Sequence, residues 1–164
     1  MTEYKGDGGN YECPKCGYMF GDICDCENAI TLDKKLKRKI IQECNDSDNN
    51  EMLKNLIDRV VPLKGYLDFI SSDRSPLTQA CFFGNYDFVE FLIESGANVN
   101  FEDNYDDTPL HRACQNCHLE IVKLLLEHGA EKNVMNAEGN TPEELVSCCE
   151  NTEQKREIIE LLKK

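Results

Sequence analysis

The stretch Thr108-Pro109-Leu110-His111-Arg112-Ala113-Cys114-Gln115-Asn116-Cys117-His118-Leu119-Glu120-Ile121-Val122-Lys123-Leu124-Leu125-Leu126-Glu127-His128-Gly129-Ala130 decides the fold. Thr108 suits a helix N-cap and Pro109 the first helical position, where a missing amide hydrogen costs nothing. A short helix is therefore expected from Pro109. Leu110, Ala113 and Cys114 fall at i, i+3 and i+4, a narrow stripe of mostly small residues that lets a neighbouring helix approach closely. A second helix is expected over Ile121, Val122, Leu124, Leu125 and Leu126, too broadly apolar for a lone surface helix and suited to one between neighbours. Gly129 ends it, as a residue that enters the left-handed region without strain.

The pattern returns after 33 residues on either side. Ser75-Pro76-Leu77, Thr108-Pro109-Leu110 and Thr141-Pro142-Glu143 stand in register, as do Gly96-Ala97 and Gly129-Ala130. A fixed period of this length marks stacked supersecondary units, which build an extended surface and seldom a catalytic pocket. These residues closely resemble the ankyrin repeat. Residues 108–140 carry its Thr-Pro-Leu-His start, its Leu-rich second helix and its closing Gly-Ala with Asn133. Residues 75–107 repeat it through Ala80-Cys81, Gly84-Asn85, Phe88-Val89, Leu92-Ile93 and Asn100. The resemblance implies an all-α solenoid of helix-turn-helix units with β-hairpin-like fingers, here 98–107 and 132–140. Gly139 fits the finger position that favours positive φ, whereas Asp73 and Asp106 hold it in the earlier fingers and imply looser turns. Cys117 stands where the family has Gly.

Two weaker copies flank this pair. Shifted by 36, Ile41, Cys44, Met52, Leu53, Leu56 and Ile57 fall on Leu77, Ala80, Phe88, Val89, Leu92 and Ile93. Residues 39–74 thus read as a divergent first repeat, with a longer loop containing Pro62 and Gly65. At the other end Thr141-Pro142 opens a copy whose second helix is Glu157-Ile158-Ile159-Glu160-Leu161-Leu162. Glu143 replaces the usual core Leu, as suits a cap whose outer face meets water. The expected organisation is a cysteine-rich segment over 1–30 and a repeat domain over 31–164, with units at about 39–74, 75–107, 108–140 and 141–164.

Eighteen basic against 31 acidic residues give a formal charge of −13. That field repels phosphate backbones, so no nucleic-acid partner is expected. Lys34-Lys35-Leu36-Lys37-Arg38-Lys39 is a local exception, read as a solvated helix face in preference to a binding patch or import signal. No apolar run approaches the roughly 18 to 20 residues that span a bilayer, and the start lacks the apolar stretch of a signal peptide. The expectation is a monomer in the cytosol or nucleus, not secreted and with no membrane partner.

Four of the ten cysteines lie in Cys13-Pro14-Lys15-Cys16-Gly17-Tyr18-Met19-Phe20-Gly21-Asp22-Ile23-Cys24-Asp25-Cys26. A C-x2-C turn followed by Gly lets two thiolates reach one ion, as in half a zinc-ribbon site, and Cys24 and Cys26 complete a tetrahedral set. The C-x-C spacing and the short gap depart from common ribbons. The expectation is a structural Zn2+ on Cys13, Cys16, Cys24 and Cys26; the alternative is a disordered tail with four thiols. In a reducing compartment the scattered cysteines are expected to pack as small apolar residues.

No enzyme is expected. The family resemblance gives His111 a backbone hydrogen bond between repeats, and Cys114 beside His118 lacks a third group to orient an imidazole. No phosphate-cradling loop is present. What the resemblance implies is a protein-protein interaction module, an adaptor, scaffold or inhibitor; a different class is a metal- or redox-responsive regulator acting through the N-terminal cysteines. Partners of ankyrin repeats lie on the concave face of finger tips and first helices. Carried over by alignment, those positions are Ser71, Ser72 and Arg74 with Phe82 and Phe83; Asn104, Tyr105 and Asp107 with Gln115 and Asn116; and Ala137, Glu138 and Asn140. Aromatic anchors ringed by polar groups have the makeup of an interface hot spot, which singles out Phe82, Phe83 and Tyr105. The competing expectation is that both phenylalanines pack on the divergent first repeat.

Overall fold

The computed structural model describes residues 11–12, 19–20, 38, 40–41, 51, 54, 67–70, 73–146 and 152–163. The chain divides into two compact units, residues 1–31 and 32–164. In the first, β1 (Tyr11–Glu12) pairs antiparallel with β2 (Met19–Phe20), with Tyr11 opposite Phe20 and Glu12 opposite Met19.

The second unit is helical. α1 (Pro76–Phe83) and α2 (Tyr86–Glu94) form one pair, α3 (Pro109–Gln115) and α4 (Leu119–Glu127) the next, and α5 (Pro142–Leu145) and α6 (Thr152–Lys163) the last. The first helices stack α1 on α3 on α5, and the second helices α2 on α4 on α6, giving two layers around one core. Sequence sets each start. Ser75 Oγ accepts the Thr78 amide at 3.1 Å, and the Thr141 amide donates to Glu144 Oε2 at 2.7 Å. A cap of this kind contributes about 1 kcal/mol.

Ala80, Cys81, Ala113 and Cys114 are buried where first helices meet, and their small volume lets those helices close up. Phe88, Val89 and Leu92 from α2 and Ile121, Val122 and Leu125 from α4 fill the second layer. Each such side chain contributes on the order of 1.5–3 kcal/mol by leaving water. Ile40, Ile41, Leu67 and Phe69 join the core at the entry, and Val146, Ile158 and Leu162 at the exit.

Among the described residues the fingers hold no strand. Each tip is closed by turn bonds instead: the Asp106 amide donates to the Asp103 carbonyl and the Asp103 amide to the Asp107 carbonyl, both at 3.0 Å. The next finger repeats this, with Gly139 donating to Asn136 at 2.8 Å and Asn136 to Asn140 at 3.0 Å. Asp73, Asp106 and Gly139 take left-handed φ of 74°, 57° and 80°. The aspartates therefore make the same turn as glycine, because a short polar side chain tolerates that region.

The turn between helices recurs in the same way. Gly84 (φ 79°) and Cys117 (φ 60°) both take the left-handed conformation, so the replacement of Gly does not change the turn. At Gly84 a Cβ would lie 2.5 Å from the His118 ring. That ring belongs to the following unit and donates from Nε2 to the Phe82 carbonyl at 3.2 Å.

Candidate functional site

The finger tips and the C-terminal ends of the first helices lie on one face, held by bonds that cross from unit to unit. The Asn104 amide donates to the Asp73 carbonyl at 3.1 Å and the Ala137 amide to the Tyr105 carbonyl at 3.0 Å. Asn104 Nδ2 reaches Asp73 Oδ1 at 2.8 Å. Fingers locked to one another in this way present their side chains at fixed spacing.

Beneath the second finger sits a charged cluster that the sequence reading missed. Arg112 Nη2 lies 3.2 Å from Asp103 Oδ2 and 2.7 Å from Asp107 Oδ2, and all three residues are buried. Asp103 Oδ1 also accepts the Tyr105 and Asp107 amides at 2.8 and 3.1 Å, and Asp107 Oδ1 accepts Asn136 Nδ2 at 2.8 Å. Two carboxylates thus serve as struts for the tip, and the guanidinium offsets one of their two charges while amide donors meet the remaining oxygens. The available signal was the period: position 112 corresponds to Gln79 and Leu145, so a charge there called for a buried partner nearby.

His111 is fully buried. Its Nδ1 accepts the Thr108 amide at 3.1 Å, which leaves Nε2 to donate to the Asn140 carbonyl at 3.1 Å. Burial pushes this imidazole down from its ordinary value, with the Asn140 carbonyl opposing. It stays neutral and spans two units. His118 is engaged with Phe82 as above, and His128 Nδ1 donates to Leu124 of its own helix at 2.9 Å.

The aligned surface positions differ in exposure. Phe83, Asn104, Tyr105, Asn116, Ala137 and Glu138 are exposed, with Phe83 at 43% and Tyr105 at 51%. Arg74, Phe82, Gln115 and Asn140 are half-buried, and Asp107, buried at 5%, is a strut and offers no contact surface. Ser71 and Ser72 lie outside the described residues. The two phenylalanines differ in exposure: Phe82 lies under the Arg74 guanidinium at 4.1 Å, while Phe83 meets the Phe82 ring edge-on at 5.1 Å and stays 43% exposed.

Among the described residues no group of His, Cys, Asp or Glu is arranged to hold a metal. Cys13, Cys16, Cys24 and Cys26 lie outside them. Cys81 and Cys114 are buried thiols outside any disulfide, and burial pushes both up, so neither supplies a nucleophilic thiolate. Cys117, partly buried, packs against the same core. It is disulfide-bonded.

The model of a family described as ankyrin repeats (3 copies) matches residues 40–136 and again 77–164. The chain belongs to the ankyrin-repeat family. Ankyrin repeats mediate protein-protein interaction, and they are typically non-enzymatic. A comparison with curated proteins finds no match. Among the described residues of this ankyrin-repeat protein, no helix is long and apolar enough to cross a membrane.

Proposed function

We propose that this ankyrin-repeat chain is an adaptor, scaffold or inhibitor that holds one protein partner against its finger tips and first-helix ends. The observation that carries the reading is the exposure of Phe83 and Tyr105 on a mostly polar face. Large exposed rings beside hydrogen-bonding groups such as Asn104 and Asn116 are the composition of interface anchors. The surrounding negative charge steers a partner segment that carries Lys or Arg next to its apolar anchor.

Capture from the native cell, with wild-type protein beside the F83A/Y105A double variant, tests the reading. The expected result is loss of the captured protein at unchanged melting temperature. Equal capture by both would overturn it, and a comparison with a chain starting at Thr31 separates partners of the repeats from those of the N-terminal segment.

The N-terminal unit is proposed to be a structural zinc knuckle on Cys13, Cys16, Cys24 and Cys26. Support comes from the antiparallel pairing of Tyr11–Glu12 with Met19–Phe20, since the segment joining these strands contains Cys13 and Cys16. So short a strand pair has too little apolar surface to be stable alone, and metal binding would supply its folding free energy. Metal analysis of protein purified without added zinc should give close to one zinc per chain and a loss in Cys13→Ser; less than about a tenth in folded protein would exclude a structural site.

A further inference from the structure

Two guanidiniums lie at the base of the finger face, and among the described residues Arg112 has carboxylates at contact while Arg74 has none. Arg112 is held between Asp103 and Asp107. Arg74 makes no ion pair among the described residues; its Nη1 donates to Gln79 Oε1 at 3.2 Å, and its Cζ lies 4.1 Å from the Phe82 ring centroid. Stacking on the ring fixes the guanidinium plane and occupies one face of it. A guanidinium has five N–H donors on its edge, and one of them is committed to Gln79.

The position is unusual within this chain. Arg74 corresponds by the 33-residue period to Asp107 and Asn140, both of which are used inside the protein: Asp107 as a strut, Asn140 as the acceptor for His111. The surface cations Lys123 and Lys163 have glutamates at 3.0 and 3.4 Å. Arg74 is half-buried, and burial, followed by the Arg112 charge, pushes it down, opposed by Asp103, Tyr105 and Asp107. A guanidinium that has lost water without a carboxylate at contact among the described residues is left with unmet donor capacity.

We propose that Arg74 is the seat for a single carboxylate of the partner segment, placed next to the apolar side chain that meets Phe83. The inference rests on the reading of this face as protein-binding and names the chemistry of its ligand. Planar Arg edges bind carboxylates in a bidentate manner, so the seat selects orientation as well as charge. Asp73, Asp106 and Glu138 stand exposed on the same face. They repel a run of acids, so the segment that fits has one Asp or Glu beside an apolar residue, flanked by neutral or basic positions.

A displayed library of random linear peptides, panned on the full chain and on R74Q, tests this. Peptides selected by wild type should share an Asp or Glu next to an apolar residue. A chosen peptide should bind R74Q at least about tenfold more weakly, and its acid-to-amide version should lose a similar factor on wild type but little more on R74Q, the coupling of a direct pair. R74K, which keeps the charge without the planar fork, should fall between. R74Q and R74K should melt within about two degrees of wild type, since an exposed-edge substitution costs little stability. Selected peptides without an acid, or two losses that simply add, would overturn the carboxylate seat while leaving the binding face standing. Failure to enrich any peptide would overturn both.

Discussion

Arg112 and Arg74 both lie near aromatic rings, 5.7 Å from Tyr105 and 4.1 Å from Phe82, yet they belong to different parts of the molecule's economy of charge. Arg112 is boxed by two buried carboxylates and holds a finger in shape. Arg74 lacks a carboxylate contact among the described residues and keeps donors in reserve. The difference teaches that residue type does not separate frame from rim on this surface. Charge matching does, because a buried charge stays only if its partners stay with it.

The strongest way to break this distinction is Arg112→Ala. It leaves Asp103 and Asp107 buried without a counter-charge and should lower stability by about 3–5 kcal/mol in chemical denaturation. R112L combined with D103N and D107N removes the charges together and should recover most of that loss. A single-variant loss below about 1 kcal/mol would show that the cluster is no frame.

Gly84→Ala comes next. The left-handed φ of 79° costs a side chain about 1–2 kcal/mol, and the His118 ring 2.5 Å from the new Cβ adds repacking strain. A total of about 2–4 kcal/mol is expected, against under about 1 kcal/mol for Gly139→Ala in excess of φ strain, since nothing lies within contact of that Cβ.

His111 gives the frame a pH signature. Its folded value is depressed below the ordinary 6.5, so the unfolded chain takes up the proton more readily. The contribution is therefore complete above pH 6.5 and is lost as pH falls below it, with a slope of at most about 1.4 kcal/mol per pH unit. Urea midpoints at pH 7.5 and 5.5 should show the fall, and H111Q should flatten it.

The smallest stability effect belongs to the rim. Phe83→Ala and Tyr105→Ala should each change stability by less than about 1 kcal/mol, as expected for half-exposed side chains. A loss of several degrees in melting temperature would move those rings into the frame.

The helix pairs were legible because their signals are local. Ser75, Thr108 and Thr141 ahead of proline announce the starts of α1, α3 and α5, and the spacing of Leu110, Ala113 and Cys114 announces the face that packs. His111 was legible through the family pattern. The positions of the finger turns were legible at Asp106 and Gly139, whereas the bonds that close each tip, between Asp103 and Asp107 and between Asn136 and Asn140, come from the folded chain. Asp107 was read as a contact residue by position alone, whereas the demand of Arg112 for a counter-charge draws it inward.

The sequence by itself determined the unit, its period and its stacking, since these follow from caps and apolar spacing within some thirty residues. Only the tertiary structure decided which polar groups are matched. Asp103, Asp107 and Arg112 meet across a finger and a helix, Asn136 reaches in from the next unit, and Arg74 is left on Phe82 with no carboxylate at contact among the described residues. The energy of a charge depends on distance and burial in three dimensions, and linear spacing does not encode either.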